Sequence, residues 1–329
     1  MVADRDDLCG RPPWGPPASR AKGLRHVILV MDATRSFQCQ SEPIASAPPG
    51  KTDWRANLST RSPDRVREHY RVERELALRL LEAPKEHRHR LYNDVYDELF
   101  RRVDDHPQLE IDPARRSREA ARKFRFVSRF VRPESCVMEI GAGDCVFSHR
   151  AARVARRVIA LDVSEVITAA AAGFPNIDVV LSDGTNVPVE PGCVDVAYSD
   201  QLMEHLHPDD VPVQLRNIAE ALAPGGVYVC ITPNRLTGPH DVSRPYTEVA
   251  TGLHLREYTN EEVRTLLLES GFNRVRQYAG GRGYYVHLPA WVVRVVERGF
   301  ARLPWRMRQR AGDLPPVQAL LGVAAVASR

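Results

Sequence analysis

From Cys136 onward the chain alternates short apolar runs with helical stretches, a pattern that confines it to an α/β architecture built on a parallel sheet. The runs are Cys136 to Ile140, Val158 to Leu161, Ile177 to Leu181, Val194 to Tyr198 and Val227 to Ile231. Ser148 to Ala155, Ser164 to Ala172 and Val211 to Leu222 read as the helices between them. A further helix, about Asn260 to Ser270 and closed by Gly271, leads to a sixth strand near Val275 to Tyr278. Two stretches compete for the seventh strand, Tyr284 to Leu288 and Gly322 to Ala327, with the second preferred.

Upstream the character differs. Residues 1 to about 60 are rich in Pro, Ser, Arg and Gly and carry one short apolar island, Val27 to Met31, too little surface to offset the entropy of ordering. They are expected to be a poorly ordered tail. Ser62-Pro63-Asp64 then sets a cap, a first-turn proline and an acid in the order a helix start prefers, and Pro84 ends that helix. Leu91, Val95, Leu99 and Val103 recur every four residues beside Tyr92, Tyr96 and Phe100, giving a second helix; Arg115 to Val131 gives a third. Residues 61–132 thus read as a helical cap on an α/β domain at 133–329.

Composition narrows the class. Of the 329 residues 43% are hydrophobic and 27% charged, which excludes disordered, collagenous and disulfide-scaffold chains. The formal charge of +4 gives no general nucleic-acid signature. The six cysteines form no C-x-x-C pair and fit a reducing cytoplasm. No run approaches the roughly 20 apolar residues of a membrane span, and the N-terminus has no secretory pattern. A cytoplasmic enzyme is the expectation.

The first strand runs into Gly141-Ala142-Gly143-Asp144-Cys145, where missing side chains let backbone approach a ligand. A dinucleotide fingerprint needs glycine where Val146 stands, so pyrophosphate is disfavoured and with it the rival reading of a nicotinamide-dependent oxidoreductase. Asp162, about 20 residues on, is placed to accept from ribose hydroxyls, and Asp183 from an adenine amino group. Together, Glu139-Ile140-Gly141-Ala142-Gly143, Asp162, Ser182-Asp183-Gly184 and Leu222-Ala223-Pro224-Gly225-Gly226 resemble the motifs of class I S-adenosylmethionine-dependent methyltransferases. The resemblance covers about Phe124 to the C-terminus and departs from the usual pattern at Cys145, where a third glycine is common. It implies a Rossmann-like seven-stranded sheet of order 3-2-1-4-5-7-6, helices on both faces and the last strand antiparallel. It also implies S-adenosyl-L-methionine as methyl donor, held by Glu139, Gly141, Ala142, Gly143, Asp144, Asp162, Val163, Ser182, Asp183, Gly184 and Ser199.

Methyl transfer from a sulfonium is an in-line displacement that needs positioning first and a base only if the acceptor carries a proton. A helix started by Ser199 or Asp200 would set Gln201, Glu204 and His205 on one face, with His205 the general-base candidate by residue type. Glu204 and His205 also resemble two of the three ligands by which some quinone-pathway O-methyltransferases hold a divalent cation; Gln201 stands in the third place, and no metal is expected. His240, Asp241, Arg244, His254 and Tyr258 are acceptor-pocket candidates, and His254 joins His205 and Gln201 as the catalytic candidates. A helical insertion at 284–316 has tryptophans interleaved with arginines over 288–310, suited to a lid or to a membrane interface. The expected acceptor is a small molecule or a lipid- or sugar-linked compound, with oxygen mildly preferred and nucleic acid not expected. A non-catalytic cofactor-binding or scaffold protein is the remaining alternative.

Overall fold

The computed structural model describes residues 61–109, 112–164, 171 and 173–329. The expected tail with its Val27–Met31 island, and most of the helix expected over 164–172, lie outside the described residues.

Helix α1 (Pro63–Glu82) starts where the Ser62 hydroxyl accepts from the Arg65 N–H, and α2 (Lys85–Arg102) follows directly. Helix α3 (Pro113–Val127) is capped by the Asp112 carboxylate, which accepts from the N–H groups of Ala114 and Arg115. Then come β1 (Cys136–Ile140), α4 (Val146–Ala151), β2 (Arg157–Asp162), β3 (Ile177–Leu181), β4 (Val194–Asp200), α5 (Val211–Ala221) and β5 (Leu222–Thr232). After a long loop, α6 (Asn260–Glu269) opens on a capping box between Thr259 and Glu262. The chain ends with β6 (Arg274–Gly281), β7 (Tyr284–Leu288), α7 (Ala290–Ala301), α8 (Trp305–Gly312), α9 (Pro315–Leu321) and β8 (Val323–Ser328).

The strands form one sheet of order β3-β2-β1-β4-β5-β8-β6-β7, with β8 antiparallel to both β5 and β6. This is the expected 3-2-1-4-5-7-6 order extended by one edge strand, so the sheet has eight strands where seven were expected. Both candidates for the seventh strand are used. The all-apolar Val323–Ala327 is buried and takes the interior position, whereas Tyr284–Leu288 leaves Tyr284 and Val286 exposed and pairs only with β6. Because residues 284–288 are strand, the helical insertion begins at Ala290 instead of residue 284.

The alternation of side chains sends β1 into two cores. Cys136, Met138 and Ile140 join a layer with Leu76, Leu80, Tyr92, Val95 and Leu99 of α1 and α2 and with Leu215 and Leu267 of α5 and α6. Val137 joins Phe126 and Val127 of α3 and Phe147 of α4 on the opposite face. The three N-terminal helices therefore do not act as one cap: α1 and α2 cover one face and α3 the other.

Candidate active site

The carboxyl ends of β1 to β3 meet beneath α2, as ligand sites do in open parallel sheets. The N–H groups of Gly141 and Ala142 donate to the Leu161 carbonyl at 2.8 and 3.1 Å, tying the glycine loop to β2. Gly141, Gly143 and Cys145 all have left-handed backbones, with φ of 74°, 47° and 55°, so Cys145 holds by tertiary constraint a conformation glycine adopts without strain. Nothing lies within 4 Å of where a Cβ on Gly143 would stand, which leaves the loop's surface free for a ligand. Asp162 accepts from the Gly143 N–H on one oxygen (2.8 Å) and from the Ser164 N–H on the other (2.9 Å). That fixes the carboxylate beside the loop with a lone pair on each oxygen to spare. These features fit a nucleoside cofactor.

Other predicted cofactor residues are placed as follows. Glu139 is buried, accepts from the Ser148 hydroxyl at 2.5 Å, and has its carboxyl pushed up by burial to about 8. Asp144 is exposed, pairs with Arg116 at 3.3 Å and accepts from the Val146 N–H at the start of α4. The Val163 carbonyl accepts from the Asn93 amide of α2 at 2.8 Å. Ser182 donates to the Asn186 carbonyl, and Asp183 accepts from the Thr185 N–H and hydroxyl and from the Asn186 N–H. Burial would raise the Asp183 carboxyl, but these donors hold it below its ordinary value. Gly184 has φ 93° and a Cβ there would stand 2.9 Å from the Tyr92 ring, so α2 rests on this turn. An open pocket of about 410 Å³ lies between them, with His89, Tyr92, Asp183 and Thr185 in its wall. Ser199 is buried in the sheet, its hydroxyl 2.7 Å from that of Tyr228.

The turn after β4 differs from expectation. No helix starts at Ser199 or Asp200, because β4 stays paired with β5 through Asp200 and Ile231. Gln201 turns the chain with φ 54°, donates its N–H to the Ile231 carbonyl, and is exposed; only one short 3₁₀ turn, Met203–His205, follows. Gln201 is therefore not grouped with Glu204 and His205. His254 is: one donor atom from each of Glu204, His205 and His254 lies within 4.8 Å of the others.

Each of the three is anchored from behind. Glu204 is fully buried, accepts the Thr232 hydroxyl on Oε2 at 2.8 Å, leaves Oε1 without a partner, and is pushed up by burial to about 7. The Nδ1–H of His205 faces the Leu253 carbonyl at 2.9 Å and the Tyr96 hydroxyl at 2.8 Å. Burial lowers this histidine to about 3, so it is neutral. The Nδ1–H of His254 donates to Glu257 at 2.8 Å. Burial alone would lower His254, but the bond and charge of Glu257, with Glu204 and Asp241 nearby, raise it to about 10.

The other acceptor candidates build the loop around this cluster. His240 donates its N–H to Glu257 and its ring meets Thr237 and the Asn234 carbonyl. Asp241 accepts from Ser243 and from the Gly252 N–H. Arg244 reaches the carbonyls of Thr237, Pro239 and Gln309 and pairs with Asp313, clamping α8 to the loop. Tyr258 is buried under the Arg256 guanidinium in a separate pocket. Sequence reasoning missed Tyr96, Thr232, Glu257 and the Lys123–Asp200 ion pair at the end of β4. Of these only Glu257 carried a signal, its i, i+3 spacing from His254.

Part of this chain is similar to known methyltransferases. Residues 137–226 match the model of a methyltransferase domain family. A probable S-adenosylmethionine-dependent methyltransferase of Mycolicibacterium smegmatis is 34% identical over 137 residues, 41% of this chain and 51% of that protein. One from Mycobacterium tuberculosis is 31% identical, over 41% of this chain and 48% of its own length. The chain thus spans about half the length of the curated relatives it matches. A solved S-adenosylmethionine-dependent methyltransferase from Mesorhizobium loti is 18% identical with a TM-score of 0.43, over 64% of this chain and all of that one.

Proposed function

We propose that this chain, whose residues 137–226 match a methyltransferase domain family, is a class I S-adenosylmethionine-dependent methyltransferase that moves the sulfonium methyl group of S-adenosylmethionine onto an acceptor held beside Glu204, His205 and His254. The observation that carries the reading is Leu202. Its Cδ1 lies 3.1 Å from where a Cβ on Gly141 would stand, so a single residue separates the cofactor loop from the turn that bears Glu204 and His205. Cofactor and acceptor can then be held within bonding distance, where positioning supplies much of the rate.

In this reading the glycine loop and Asp162 hold the nucleoside, and Asp183 faces the base. The acceptor brings a nucleophilic atom in line with the S–CH3 bond; a new bond to carbon forms as sulfur takes the electron pair and leaves as the thioether. Neutral His205 orients an acceptor hydroxyl through its free nitrogen; its low proton affinity makes it a poor store for the proton, so oxygen as the acceptor atom rests on orientation alone. Calorimetric titration with S-adenosylmethionine and S-adenosylhomocysteine, beside NAD, tests the first half: binding of the sulfur nucleosides alone is expected, and binding of NAD instead would overturn it. His205→Ala is expected to lower turnover and leave cofactor affinity unchanged; equal turnover would remove His205 from the site.

One observation favours a lipid-linked acceptor. On the outer face of α7, Trp291 and Val295 are 67% and 61% exposed, in line with Arg298 and Arg302 at helical spacing. Met307 is 54% exposed on α8, and Arg298, Arg302, Arg306 and Arg310 make no ion pair among the described residues. No described helix is long and apolar enough to cross a membrane, but this face has the composition of one that lies on an anionic surface.

A further inference from the structure

We infer that Glu204, His205 and His254 form a binding site for one first-row divalent metal ion of the zinc or iron(II) class, with a coordination position left for the acceptor. Two imidazoles and one carboxylate are the donor set such ions favour over magnesium or calcium. The site rests on these three side chains and not on the methyl-transfer reading.

The hydrogen bonds behind the ligands carry the argument. Metal-binding histidines commonly donate the N–H of the other nitrogen to a carboxylate or a backbone carbonyl, which fixes the tautomer and aims the free nitrogen. His254 does so to Glu257 and His205 to the Leu253 carbonyl, leaving Nε2 on each ring without a hydrogen-bond partner. Glu204 repeats the arrangement: Oε2 is held by Thr232, while Oε1 is buried with no partner at all. An orphaned carboxylate oxygen in a dry site is costly unless something binds it. Two carboxylates, Glu204 and Glu257, balance a dication once the ion displaces the proton that these acids hold on His254. Metal–donor bonds of about 2.1 Å put tetrahedral donors roughly 3.4 Å apart, so closing from 4.8 Å needs side-chain shifts of about an ångström.

A second cluster of the same residue types is hydrogen-bonded in the opposite sense. In His69, Glu73 and His106, the Nδ1 atoms accept from Arg61 and from the Gln108 N–H, so both Nε2 atoms carry protons. His69 donates its proton to Glu73 at 2.7 Å, and the other Glu73 oxygen accepts from the Leu253 N–H. Both Nδ1 atoms, the His69 Nε2 and both Glu73 oxygens are hydrogen-bonded, with His106 Nε2 3.8 Å from Glu73, and a metal would have to break the bonds to both Nδ1 atoms. This cluster is a clamp between α1 and the Leu253 loop. At Glu204, His205 and His254 the polarity is reversed and the inner atoms are free. The set also differs from the one the sequence suggested, since Gln201 is exposed and His254 takes its place.

In the proposed reaction such an ion supplies Lewis acidity toward an acceptor hydroxyl, easing loss of its proton to solvent as the oxygen takes the methyl group. With the ion bound, the free nitrogen of His205 is a ligand, and His205 orients the acceptor through the ion instead of by a direct hydrogen bond. The test strips the full chain with a chelator and titrates it with Zn²⁺ by calorimetry and with Co²⁺ by visible ligand-field absorption. One equivalent is expected, with affinity at least 100-fold weaker in His254→Ala and in Glu204→Gln, 10- to 100-fold weaker in Glu257→Gln, and unchanged in His106→Ala. No uptake by the wild type, uptake unaffected by His254→Ala and Glu204→Gln, or uptake lost in His106→Ala would overturn the site. S-adenosylmethionine binding, measured on the same samples, reports folding of each variant. Metal uptake without that binding would sustain the metal site and sink the methyl-transfer reading; the converse result would do the opposite.

Discussion

Asp162 accepts a backbone N–H on each carboxylate oxygen, so it shapes the glycine loop as well as having the ribose role proposed for it. Asp162→Ala is expected to weaken S-adenosylmethionine binding by about 1 to 3 kcal/mol, read by calorimetry, because hydrogen bonds to a charged group are lost. Unchanged affinity would remove Asp162 from the cofactor site. Glu139 offers a pH test. Its carboxyl lies near 8 in the folded chain against 4.5 when free, so between those values the unfolded state releases a proton that the folded state keeps. Stability therefore falls as pH rises across that window and levels off above it. Glu139→Gln can still accept from Ser148, and its Tm relative to the wild type is expected to improve from pH 5 to pH 8. A constant difference would show that burial does not perturb Glu139. Both acids were legible from their place at strand ends. Their partners in the loop and in α4 were not, because hydrogen-bond direction follows from backbone geometry.

Among the elements, α2 connects the pieces of the site. Its Tyr92 rests on Gly184 and donates to Asp210, its Asn93 holds the loop after β2, and its Tyr96 touches His205. Gly184→Ala would add both a left-handed strain and a Cβ 2.9 Å from the Tyr92 ring, and is expected to cost about 1 to 3 kcal/mol by denaturant titration. A loss under a few tenths would mean that α2 can lift without penalty. Thr259→Ala removes one half of the capping box on α6 and is expected to cost about 1 kcal/mol. The α2 stripe was readable as a helix from its spacing. That its polar edge would reach into the site was not, since Tyr96 and His205 lie 109 residues apart. The same limit explains the helix expected at residue 199: local spacing favoured it, while pairing of β4 with β5 held the chain extended.

For the whole molecule, the open question is where the acceptor comes from. If the face of α7 and α8 meets membrane, liposomes containing anionic lipid should retain the protein at low salt, and Trp291→Glu with Met307→Glu should release it. Failure of the wild type to bind would leave that face as part of a lid and the acceptor as a free small molecule.

The alternation of apolar runs is a local feature, and from it the sequence by itself determined the fold class; the strand order up to one edge strand came with the resemblance in motifs, and the glycine turn and the acids at strand ends are the local features on which the proposed nucleoside site rests. The grouping of Glu204, His205 and His254 was decided by tertiary structure. Gln201 and His205 are near neighbours in the chain, yet the left-handed turn separates them. His254, 49 residues further on, closes the cluster instead because Glu73 and His205 grip the two ends of the Leu253 peptide. Hydrogen bonds of that kind depend on how helices dock on a sheet, which no spacing along the chain encodes.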